Sequence, residues 1–159
     1  KRLLKTINHK VNIEAERGFH IVLKKVNFLP PNPLLIINKK IAITPMEDTL
    51  RFAGIVDFSG VEAPSNKYRY DYIRSLIKNI LPSLSWKEED LWMGQRPSTS
   101  DSLPVLGRSN SMKNVYFAFG GQHIGLKIGP KLGKLVSDLI LNKKTNINLD
   151  PYLQSRFNN

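Results

Sequence analysis

Between Arg69 and Leu81 the apolar residues stop alternating and recur at helical spacing: Ile73, Leu76, Ile77, Ile80 and Leu81 fall at i, i+3, i+4, i+7 and i+8. That switch constrains the fold most, because what precedes it reads as strand. Phe19–Val26 is a β-rich run, Pro30-Pro31-Asn32-Pro33 is a turn, and Leu34–Ile37 with Ile41–Thr44 flank Asn38-Lys39-Lys40 as a hairpin. Leu50–Phe58 follows, with Gly54 marking a bulge or a close approach of backbone. Successive strands joined by short turns imply an antiparallel sheet. The helix, ended by Pro82, is expected to cover one face of it.

Downstream, Leu91–Gly94 reads as a short strand, Pro97–Leu106 as a polar loop, and Val115–Phe119 as a buried strand running into Gly120-Gly121-Gln122-His123-Ile124-Gly125. Leu132, Leu135, Val136, Leu139 and Ile140 then restore the helical period. Residues 1–16 are polar, basic and weakly patterned, as expected of a linker or frayed end. An α+β fold results, with a sheet-and-helix region over 17–91 that includes the helix 69–81, and a second region over 92–159.

With 41% apolar and 23% charged residues in 159, the composition is globular and allows a real core. The absence of cysteine excludes disulfides, thiolate metal sites and cysteine nucleophiles, and three histidines scattered at 9, 20 and 123 argue against a zinc site. No run approaches the roughly 18 apolar residues of a membrane helix, and the N-terminal segment lacks the apolar core of a signal peptide. The chain begins without Met, as expected of a piece of something longer. A net charge of +11 raises nucleic acid as a partner, but the lysines come as isolated pairs such as Lys24-Lys25 and Lys143-Lys144, with no basic stripe or nucleic-acid motif. Solvated surface is the better reading, with an acidic partner or an anionic membrane surface as the remainder.

Two pieces suggest an anion-binding site. Arg96 precedes Pro97, which biases it toward extended backbone, and its planar guanidinium suits two-point contact with a carboxylate. The other reading of Arg96 is a surface ion pair with Asp101 or with Glu88-Glu89-Asp90, a cluster that itself reads as a solvated turn. Gly120, Gly121 and Gly125 would let backbone approach a flat or charged ligand, and the helix after them offers unpaired N–H groups and partial positive charge. The same glycines would equally make a tight turn. His123 is either a ligand donor or a structural hydrogen-bonder, and Lys127 opposes the helix dipole, which leaves room for an anionic neighbour.

Four ordered segments resemble the FAD-dependent amino-acid oxidoreductases of the D-amino-acid oxidase superfamily, and within it the small-subunit type of D-amino-acid dehydrogenase. They are Glu16–His20, Thr44–Gly54, Trp92–Gly107 and Ala118–Pro130 with Gly133, and the tail Leu149–Phe157 is similar as well. The resemblance implies an antiparallel substrate-binding sheet over 17–91, and over 92–159 the C-terminal strand and helix of an FAD-binding domain. The N-terminal portion of that domain, with its dinucleotide fingerprint, is absent from the sequence. It implies that Arg96 holds the substrate carboxylate, with His20 nearby, and that Gly120, Gly121, Gln122, His123, Ile124, Gly125, Leu126 and Lys127 contact FAD. The family's loop usually reads Gly-His-Gly-His-Leu-Gly, so Gly121 and Gln122 depart from it, as do Lys127 for a common Thr and Phe19 for a Tyr.

The expectation is therefore a portion of a flavoprotein that oxidises a D-amino acid to the 2-oxo acid and ammonia, inactive without its N-terminal FAD-binding partner portion. Oxygen or a quinone would be the electron acceptor. Nucleic acid is not expected, and the cytoplasm, with peripheral contact at the inner membrane as a further option, is the expected location. The competing expectation is a non-catalytic basic module that binds an acidic protein, a membrane surface or nucleic acid.

Overall fold

The antiparallel sheet is present in the computed structural model, which describes residues 2–158. After a short helix, α1 (Arg2–Thr6), come β1 (Ile13–Lys24), β2 (Leu34–Ile36), β3 (Ile41–Pro45), β4 (Thr49–Asp57), the helix α2 (Lys67–Ile80) and β5 (Glu88–Thr99). The sheet order is β2-β3-β4-β1-β5. The chain divides into two units, one spanning Arg17–Gln95 and the other joining the residues up to Glu16 to those from Arg96 onward. It passes from one to the other inside β1 and again inside β5. The division lies a few residues beyond the 91/92 boundary expected from sequence, because β5 continues unbroken to Thr99.

In the unit Arg17–Gln95, alternation along β1 sends Phe19, Ile21 and Leu23 to one face, where Ile41, Ile43, Leu50 and Phe52 join them. The helical period does what its spacing implies: Tyr70, Ile73, Leu76 and Ile77 of α2 are buried against that face. Asn66 caps the helix by accepting from the Tyr68 N–H at 3.0 Å, and Pro82 follows its end. The β1–β4 register slips between Phe19 and His20, so that Gly54 is the extra residue of a bulge. Gly54 has φ +149, and a Cβ there would collide with the Lys40 carbonyl, so both sequence readings of this glycine hold.

Glu88, Glu89 and Asp90 are not a solvated turn. They begin β5 and pair with Lys25, Arg74 and Lys24 respectively, the last at 2.6 Å. Beneath the surface, Arg17 and Asp57 form a two-point ion pair with 1% and 3% side-chain exposure, at 2.7 Å (Nε–Oδ1) and 3.2 Å (Nη2–Oδ2). The Arg17 guanidinium also donates to the carbonyls of Ala63 and Pro64. That hydrogen bond from Arg17 holds the Asp57 carboxyl below the ordinary range, against the opposing effect of burial.

The second unit corrects two sequence expectations. The residues before 17 are not a frayed end, although Lys1 lies outside the described residues. His9 Nε2 is 2.7 Å from the buried Ser109 Oγ, the Lys10 carbonyl accepts from Gln154 at 2.6 Å, and Val11 packs with Val105, Phe117 and Phe157. The stretch 97–106 is not all loop: Pro97–Thr99 completes β5, and β6 (Val105–Arg108) pairs antiparallel with β7 (Tyr116–Phe119). A 3-10 turn, Gln122–Ile124, then leads into α3 (Gly125–Ile140), which starts several residues before its apolar stripe does.

Candidate active site

Arg96 and His123 meet at a residue that sequence analysis did not assign, Glu16. This carboxylate, 4% exposed, sits at the point where β1 leaves the unit. Its Oε2 accepts from Ser98 Oγ at 2.6 Å, while Oε1 lies 3.1 Å from His123 Nδ1 and 3.6 Å from Arg96 Nη1. Both partners expected for Arg96 as a surface pair are engaged elsewhere: Asp101 takes a two-point contact from Arg156 at 2.6 and 3.2 Å, and the acidic cluster serves β1 and α2. At 3.6 Å the Glu16 contact is charge attraction without a hydrogen bond. Arg96 Nη1 is accordingly buried without a hydrogen-bond partner among the described residues. An orphaned charged donor costs on the order of 1–3 kcal/mol, and the Arg96 side chain as a whole remains 36% exposed.

The glycine run divides by role. Gly120 has φ +79, and a Cβ there would lie 3.0 Å from Thr99 Cγ2. At Gly121 a Cβ would lie 2.7 Å from Gly125 Cα. These two glycines serve the turn itself, which Gln122, at φ +47, ties to β5 by donating to Thr99 Oγ1 at 3.1 Å. Gly125 differs: a Cβ there meets nothing within 4 Å. It opens α3, whose start has no side-chain cap and no acidic residue in its first turn. Leu126 is 95% exposed, and Ile124 and Lys127 are exposed as well. Within the turn the Ile124 N–H donates to the Gly121 carbonyl at 3.0 Å, while the uncapped start of α3 is flanked by exposed residues, a setting that fits an electron-rich ring edge or an anion.

His20 belongs to the other unit. It lies on the sheet face turned away from α2 and stacks on Trp92, with ring centroids 4.7 Å apart and planes 13° from parallel. Burial, and then the charge of Arg51, push its pKa below the ordinary value, so the ring is neutral near pH 7. The Trp92 indole lies over Gly94, where any Cβ would strike it. That stack escaped sequence reasoning because its members are distant in the chain. Glu16 did fall within one of the four resembling segments, but nothing local marked its partners.

A sheet carrying one covering helix, followed in the chain by a β-hairpin, a glycine turn and a helix, is a fold shared with part of several solved amino-acid oxidases. Glycine oxidase from Geobacillus kaustophilus superposes with a TM-score of 0.80 at 21% identity, over 98% of this chain and 42% of that one. The profile of the family described as FAD dependent oxidoreductase matches residues 1–139, and the chain belongs to that family. Among curated relatives, a D-amino-acid oxidase of Bradyrhizobium diazoefficiens is 29% identical, and a D-amino acid dehydrogenase of Neisseria gonorrhoeae is 26% identical. In both cases 99% of this chain aligns to 38% of the relative, so the chain spans about two fifths of their length. The cofactor of the family is FAD.

Proposed function

We propose that the full-length protein carrying this chain oxidises a D-amino acid to the 2-oxo acid and ammonia, with Arg96 as the anchor of the substrate carboxylate. The observation that carries the reading is the Arg96 guanidinium, 36% exposed and with Nη1 lacking an acceptor among the described residues, in the same unit as the uncapped start of α3. Gly125, Leu126 and Lys127, with the turn from Gly120 to Ile124, are the residues that would hold the flavin edge. Bound flavin supplies the hydride acceptor. The substrate gives up a hydride from its α-carbon and a proton from nitrogen, and water hydrolyses the resulting imino acid. Orientation by Arg96 is the chain's main contribution, since two-point contact fixes the direction of the α-carbon. The acceptor of the electrons in turn is oxygen or a quinone.

Arg96→Lys in the full-length protein tests this reading. The planar fork becomes a point charge, and kcat/KM for D-alanine should fall roughly 10- to 100-fold, the equivalent of one charge-assisted hydrogen bond. The visible flavin spectrum should be retained. Unchanged kcat/KM would remove Arg96 from the site.

A further inference from the structure

Glu16 is more than a partner for one arginine. Its carboxylate is buried, anchored by Ser98 through Oε2, and faces both His123 and Arg96 through Oε1. It attracts the guanidinium without accepting a hydrogen bond from Nη1, and 36% of the Arg96 side chain stays exposed for a ligand to meet. The charges of Arg96 and Glu16 also cancel. A site with a lone guanidinium favours any carboxylate, whereas a neutral pair of opposite charges disfavours plain anions and accommodates a molecule that carries both signs.

Resting on the assignment of Arg96 above, we propose that Glu16 is a specificity-determining and positioning residue that sets the site's preference for zwitterionic amino acids over simple carboxylates, including the 2-oxo acid product. It acts through charge at short range and through the placement of Arg96 and His123. Glu16→Gln removes the charge and nearly preserves shape, and a Gln oxygen still accepts from Ser98.

The experiment uses the full-length, flavin-loaded protein, with acetate binding measured by calorimetry and the KM for D-alanine by steady-state kinetics. In Glu16→Gln, acetate should bind roughly tenfold more tightly, as expected for removing one negative charge a few ångströms from the bound anion. The KM for D-alanine should rise, and Glu16→Asp should restore a ratio close to wild type. Movement in opposite directions is the signature, because a merely structural defect weakens both ligands together. Parallel weakening in Glu16→Gln and Glu16→Asp, or an unmoved ratio, overturns the proposal. Arg96→Ala separates the two ideas: acetate binding lost in Arg96→Ala, with the ratio unmoved in Glu16→Gln, overturns the Glu16 role alone. Acetate binding that survives Arg96→Ala overturns the Arg96 assignment and the Glu16 role with it.

Discussion

Asp57→Ala should be among the most damaging single substitutions in the unit Arg17–Gln95. It deletes the acceptor of two Arg17 hydrogen bonds, at 2.7 and 3.2 Å, inside a site with almost no solvent exposure. Arg69 Nε, 3.5 Å from the same carboxylate and buried without a hydrogen bond among the described residues, loses this counter-charge as well. The buried Arg17 guanidinium would then keep the Ala63 and Pro64 carbonyls as its acceptors, with no counter-charge in hydrogen-bond reach among the described residues. Breaking a buried pair in this way costs about 3–5 kcal/mol. For a chain of this size that corresponds to a fall in Tm of roughly 10 °C, read by circular dichroism on heating. Arg17→Met should cost less, because Asp57 keeps Arg69 and the Ser59 N–H and its carboxyl can protonate, an escape that guanidinium lacks. The pH dependence carries the same sign. A carboxyl held below its ordinary value contributes stability that is fully present above the unfolded pKa, about 3.9, and is lost as pH falls through the folded value. Wild type should therefore lose stability below about pH 4, and Asp57→Ala should lose less over that range. Equal costs for the two single substitutions, or an unchanged acid slope in Asp57→Ala, would refute this account.

Two glycines only four residues apart should respond in opposite ways. Gly121→Ala places a Cβ against Gly125 Cα and should lower Tm together with flavin retention, whereas Gly125→Ala enters open space and should leave Tm intact while loosening flavin, as the absorbance of free flavin after gel filtration would show. Flavin retention unchanged in Gly125→Ala would separate that position from the cofactor. In the core, Ile73→Ala should cost about 2–5 kcal/mol in urea denaturation, since the side chain is fully buried between α2 and the sheet.

Where hydrophobic period was sustained, sequence alone located the structure. The five apolar positions of Arg69–Leu81 gave α2, and the short turns gave the hairpin of β2 and β3. Four-residue β6 was invisible, because Gly107 interrupts its pattern and β7 is its only strand partner among the described residues. The residues before 17 looked frayed because their contacts are made with Ser109, Phe117 and Gln154, about a hundred or more residues away, and no local signal records that. The site shows the same division. Arg96 and the loop 120–125 could be put forward as candidates from residue type and setting, whereas the Glu16 contact, eighty positions before Arg96, became visible only once β1 and β5 lay in one sheet.

The helix that begins at Gly125 is poorly suited to standing by itself. Gly129 and Gly133 lie in its interior and Pro130 sits in its second turn, where it cannot donate back to the preceding turn. Relative to alanine these three residues cost on the order of 5 kcal/mol of helix propensity, more than a 16-residue segment can offset in water. A synthetic peptide spanning 125–140 should be a random coil by circular dichroism, so the open N-terminus of this helix exists only after the surrounding chain has already assembled.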